Sequence, residues 1–128
     1  MVPIRRISAL ALTLLVAASV HADTPPINRI PLERSDVPES KYVAIVARVE
    51  AQPGAQLARH VHPGVEMTTC ISGELDLLID GKPPRHIVAG EHFQIPVGVV
   101  HAISFGAEPA VLIATFVVEK DKPLSSPP

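Results

Sequence analysis

The chain has 128 residues, enough for one domain at most. Its formal charge is −2, and it carries no Trp, one Tyr and three Phe, so it has neither a basic patch for phosphates nor stacking surfaces for bases; nucleic acid is excluded as a partner. Its single cysteine, Cys70, excludes an intramolecular disulfide, and a chain this small then depends on its core, a metal ion or a partner subunit for stability.

Arg5 and Arg6 precede an apolar run over residues 9–18 broken only by Thr13, and Val20-His21-Ala22 follows with the pattern of a cleavage site. Residues 1–22 therefore read as a secretory signal peptide cut after Ala22, because the run falls well short of the roughly 20 apolar residues of a spanning helix. Export to the periplasm or beyond is expected, with no stable membrane insertion after cleavage. The arginine pair also fits twin-arginine export, but Ile4 and Ile7 flank it poorly, which favours the general secretory route. Loss of Arg5 and Arg6 leaves 9 Lys and Arg against 13 Asp and Glu, a formal charge of −4.

Residues 23–40 hold Pro25, Pro26, Pro31 and Pro38 among polar groups, which predicts an extended N-terminal arm with at most one short edge strand. From residue 41 the texture changes to short Val/Ile/Leu-rich runs between Gly, Pro and Asp turns, with no sustained helical period. Strands are predicted at 42–50, 56–62, 65–72, 75–79, 85–88, 92–95, 101–105 and 111–119, which is the spacing of an all-β sandwich or barrel over residues 41–119. Asp80-Gly81 predicts a tight type I′ hairpin. The polar, proline-rich residues 120–128 read as a disordered tail.

Within this frame four residues stand out. His60 and His62 are two apart, so on a strand both leave one face, and Glu66 follows the Pro63-Gly64 turn. With His101 they make three imidazoles and one carboxylate able to close around a single divalent metal ion. Burying such a set without a metal would cost several kcal/mol of desolvation. The ligand types leave the ion open among Fe, Mn, Ni, Cu and Zn, and four ligands leave one or two positions for a small molecule.

The segment from Gly54 through His60, His62 and Glu66 to Gly73, and the segment from Gly90 through Pro96 and Gly98 to His101, together resemble the two motifs of the cupin family. Every fixed position agrees except the last, where Phe105 stands in place of Asn. The resemblance implies a jelly-roll barrel with the metal held inside by His60, His62, Glu66 and His101. It also implies that Glu66 can either ligate the metal or act as a base. Strand alternation places Thr68 and Cys70 on the face of Glu66, and Ile103 and Phe105 on the face of His101, as candidate walls of a substrate pocket. Phe105 would make one wall apolar. His86 and His92 fall outside the motifs.

Two functions follow from such a site. One is a metal-dependent enzyme similar to the quercetin-dioxygenase-like cupins, acting on a small aromatic or enolisable substrate, with isomerase or lyase chemistry open to the same parts. The other is a periplasmic module that binds or senses a small molecule or metal without turnover. Single-domain cupins commonly pair, so a homodimer is expected, with the arm before Lys41 free to add a strand to a neighbour.

Overall fold

The computed structural model describes residues 25–128, and the expected signal peptide lies outside them. Nine strands follow in order: β1 (Ile27–Asp36), β2 (Tyr42–Ala51), β3 (Gln56–His60), β4 (Gly64–Ser72), β5 (Glu74–Ile79), β6 (Arg85–Val88), β7 (His92–Ile95), β8 (His101–Phe105) and β9 (Ala110–Glu119). They form two antiparallel sheets, one ordered β1-β2-β9-β4-β7 and the other β3-β8-β5-β6. This is the expected all-β jelly-roll barrel, and the eight predicted strands all appear within two residues of their expected ends. Among the described residues no helix is long and apolar enough to cross a membrane.

The barrel closes because alternation runs cleanly along the long strands. On β9, Ala110, Leu112, Ala114, Phe116 and Val118 are buried, while the residues between them are half-buried. On β2 the odd-numbered Val43, Ala47, Val49 and Ala51 turn inward in register with them. Phe93, Leu75, Leu77, Ile87, Ile95, Ile103 and Phe105 complete the core between the sheets. At roughly 1.5–3 kcal/mol for each large apolar side chain buried, this core is the main source of stability in a chain without disulfides.

Four expectations are corrected. Residues 23–40 do not stop at a short edge strand: β1 pairs with β2 over ten residues, so the arm completes its own sheet. Pro31 is accommodated because β1 is an edge strand with a bulge between Pro31 and Glu33, where a missing N–H leaves no ladder partner unmet. Residues 120–128 are not disordered, since Ser126 bridges Val61 through two backbone hydrogen bonds of 3.0 and 3.1 Å. The Asp80-Gly81 turn is not type I′: only Gly81 has positive φ, Lys82 N–H bonds Ile79 C=O, and β6 begins only at Arg85. Finally, β3 ends at His60, so His62 lies in the bend before β4.

Candidate metal centre

Each of the four residues is delivered by a local device. In β3 the register shifts between Leu57↔Ile103 and His60↔His101, one extra residue that turns both Leu57 and His60 toward the interior although they are three apart. His101 opens β8 directly opposite His60. His62 is held in its bend by two neighbours: Gly98 N–H donates to its carbonyl at 3.2 Å, and Gly64 starts β4 so close to β9 that a Cβ there would meet Val117 O at 2.0 Å. Only glycine lets the chain turn from His62 into β4 at that separation, and Gly98 supplies the positive φ of the facing turn. Glu66 then sits mid-strand between Phe116 of β9 and Ile95 of β7.

The three rings converge, with centroids 4.9 Å apart for His60 and His62, 4.2 Å for His60 and His101, and 5.1 Å for His62 and His101. In each the Nδ1–H donates to a backbone carbonyl: Ala58 at 2.7 Å for His60, Leu124 at 2.7 Å for His62, and Val99 at 3.0 Å for His101. A carbonyl can only accept, so the tautomer is fixed and every Nε2 presents a lone pair to the centre. His60, His62 and His101 offer ligand nitrogens all within 4.8 Å of one another and can hold a metal ion.

Glu66 adds the negative charge. Its Oε2 lies 3.0 Å from His62 Nε2 and 3.3 Å from His101 Nε2, and its Oε1 accepts from the Thr68 hydroxyl at 2.6 Å. With the protons on Nδ1, both Nε2 atoms face the carboxylate lone pair to lone pair, and both are buried without a hydrogen-bond partner. His101 is 0% exposed, His62 3% and Glu66 5%. Buried acceptors arranged head to head need a cation between them, and a proton or a metal can supply it. A divalent ion fits this donor set.

The ionisation tendencies follow from the same packing. Burial alone would raise the Glu66 carboxyl, but the imidazoles of His101 and His62 and the Thr68 hydroxyl outweigh it and hold the group well below the usual carboxylate range. Burial lowers His60, and its two neighbouring imidazoles add to that. His101 is also opposed by burial, yet the bond to Glu66 and its carbonyl partner leave it raised.

A cavity of about 10 Å³ lies among the four residues, room for an ion or a single water, walled by Val49, Leu57, Ile103, Leu112, Ala114 and Phe116. Of the expected pocket residues, Ile103 lines it. Thr68 reaches it only through its bond to Glu66, whereas Cys70 and Phe105 are buried in the core away from it. Burial raises the Cys70 thiol, whose Sγ points at Ser72 O and Gly73 O, both at 3.5 Å. The aromatic beside the histidines is Phe116, 5.0 Å from the His62 ring. Sequence reading missed Phe116, Leu124 and Arg29; the buried alternation of β9 could have found the first, but a carbonyl acceptor such as that of Leu124 leaves no mark in sequence.

Nine strands closed around three converging histidines, two buried and His60 half-buried, define a β-barrel with an interior metal-binding cluster. The cupin domain model matches residues 47–116, more than half of the sequence, and the chain belongs to the cupin family. No curated protein sequence matches it. Among solved structures it is similar to a cupin superfamily protein from Desulfitobacterium hafniense, at TM-score 0.64 and 15% identity, covering 78% of this chain and 84% of that one. It is also similar to a DMSP lyase from Ruegeria pomeroyi, at TM-score 0.61 and 24% identity over 69% of this chain and 44% of the lyase. A recombinant oxalate oxidase in complex with glycolate matches at TM-score 0.57 and 28% identity, over 66% of this chain and 45% of the oxidase. The chain thus spans less than half the length of either enzyme.

Proposed function

We propose that the protein is a metal-dependent enzyme that binds one divalent transition-metal ion, Fe, Mn, Ni, Cu or Zn, through His60, His62, His101 and Glu66, and acts on a small substrate presenting oxygen atoms to it. The observation that carries this reading is the fixed set of inward Nε2 lone pairs, two of them buried and unpartnered against Glu66. A bound ion would polarise a substrate oxygen and acidify the adjoining C–H or O–H. Glu66 Oε2 is the group placed to receive that proton, while Thr68 holds the other carboxylate oxygen still. Leu57, Ile103, Leu112 and Phe116 keep bulk water from the centre. The substrate must approach from outside, because the interior has room only for an ion or a single water. Oxygenase chemistry on an enolisable or small aromatic substrate uses these parts, as does lyase or isomerase chemistry without oxygen.

One observation favours a second reading. Apart from the four residues and Arg29, the cavity of about 10 Å³ is lined by apolar side chains, which suits a module that binds a metal or small ligand without turnover. Elemental analysis of the purified mature protein, followed by oxygen uptake and product analysis with catechols, flavonols and β-diketones, separates the two. Uptake or product supports the enzyme; their absence from fully loaded protein supports the binding module.

Export by a cleaved leader and homodimer formation belong to the same proposal. The exposed Met67 and Ile71 on the outer face of β4 support a pairing surface. N-terminal sequencing of secreted protein tests the first, and sedimentation the second.

A further inference from the structure

Outside the cavity the barrel opens on a depression of about 300 Å³, lined by Arg29, Leu57, Ala58, Arg59, His60, Ser125, Ser126 and Pro127. Arg29, Leu57 and His60 line the inner cavity as well, so they form the passage between the two. The placement of Arg29 follows from register. It lies directly opposite Val49, which is buried and faces the cavity, and partners in an antiparallel pair share a face. Ahead of the Pro31/Glu33 bulge the odd-numbered residues of β1 point inward, and Arg29 is the charged one among them.

The electrostatics of this mouth are one-sided. No Asp or Glu lines the depression. Arg59 is neutralised by Asp80, with which its guanidinium makes a two-pronged ion pair. Arg29 has no ion pair or side-chain hydrogen bond among the described residues, where Lys41, Arg48, Arg59, Lys120 and Lys122 have acidic partners; Arg34 and Lys82 are also unpaired, but neither lines the mouth. Glu66 makes no ion pair with it: Oε1 accepts from the Thr68 hydroxyl, and Oε2 faces the His62 and His101 rings. Three neutral imidazoles, one carboxylate and a divalent ion would leave the centre itself with a net charge of about +1.

We propose that Arg29 is the anchor for an anionic substrate, a small carboxylate that reaches the metal with an oxygen at one end and is held by the Arg29 guanidinium at the mouth. The proposal rests on the reading that the histidine cluster holds a divalent ion. A planar guanidinium matches a carboxylate with two parallel N–H donors, which a lysine cannot do. Ser125 and Ser126 stand on the same rim. A neutral substrate would leave Arg29 without a role and the mouth without a counter-charge.

The test is a binding measurement on protein whose metal content is determined first. Glycolate and malonate are titrated calorimetrically into metal-loaded wild type, Arg29→Gln and Arg29→Lys, with glycolamide as the neutral probe. At least one acid should bind wild type. Arg29→Gln should weaken it about tenfold or more at unchanged metal content, Arg29→Lys should recover part of the loss, and glycolamide should be indifferent to the substitution. Equal acid affinity in wild type and Arg29→Gln, or no acid binding to loaded wild type, overturns the anchor while leaving the metal centre standing. Wild-type protein that takes up no metal overturns both. Melting curves of the unliganded variants should coincide, as Arg29 is exposed on an edge strand; a lowered Tm in Arg29→Gln that accounts for the weaker binding would make the residue structural and sink the proposal.

Discussion

The two ends of this barrel are equally buried and differ in everything else. At one end Leu75, Ile87, Cys70, Phe93 and Phe105 pack without leaving any polar group unmet. At the other, His62, His101 and Glu66 are buried to the same degree, and two ring nitrogens have no partner. The closed end is organised by apolar side chains from the sheets, the open end by backbone carbonyls of Ala58, Val99 and Leu124 that orient the imidazoles. Burial of apolar surface can be redistributed among many contacts, whereas burial of a lone pair cannot, so the open end is where function is concentrated.

Substitution at each end should separate the two roles. Phe105→Ala leaves a large hole at the closed end and should cost about 3–5 kcal/mol of stability, read by denaturant unfolding, with metal content per folded molecule unchanged. A loss of metal from folded Phe105→Ala would show that the ends are coupled. At the open end His62→Ala and His101→Ala should each release the metal, read by elemental analysis, and full metal content in both would mean the ligands lie elsewhere.

Much of this contrast is legible in the sequence because both motifs encode turns as well as ligands. Gly98 and Gly64 are needed for backbone reasons, and they carry His62 and Glu66 with them. What is not legible depends on contacts distant in sequence. Phe105 obeys strand alternation with His101, yet it points into the packed end, since the passage from ligand to core occurs along β8 itself. The length of β1 is hidden by Pro31, which a central strand would reject and an edge bulge accepts. The C-terminal segment looks disordered by composition, and it is held by a carbonyl and a two-bond bridge that any residue can make.

That segment tests whether the open end depends on its backbone frame. Removing residues 124–128 deletes the acceptor that orients His62 and should lower metal affinity about 10- to 100-fold with the barrel intact, measured by competition with a chelator. Ser126→Pro removes one of the two bridge hydrogen bonds, the one donated to Val61 O, and should give a smaller loss in the same direction. Unchanged affinity in the truncated protein would mean that the sheets alone orient His62.

The finest distinction between the ends is their response to pH around neutrality, where His101 and His60 of the open end respond while burial pushes the Cys70 thiol of the closed end further up. In metal-free protein His101 is raised above its ordinary 6.5, so its contribution to stability is full below that value and is lost as pH rises through the folded value. Glu66 is depressed from 4.5, so its contribution is present above that value and is lost as pH falls through the folded one. His60, lowered by burial, costs stability below its ordinary 6.5, and that cost is relieved as pH rises from the folded value to 6.5, so its window lies below that of His101. The two windows meet near 6.5, so the Tm of the metal-free protein should rise toward that pH and fall above it. Metal must displace the His101 proton to reach Nε2, so the extra Tm conferred by loading should widen from about pH 5 to about pH 7.5. A difference that stays flat across that range would remove His101 from the ligand set, and one that narrows would mean that the protonated pair with Glu66 is the state the open end is built to hold.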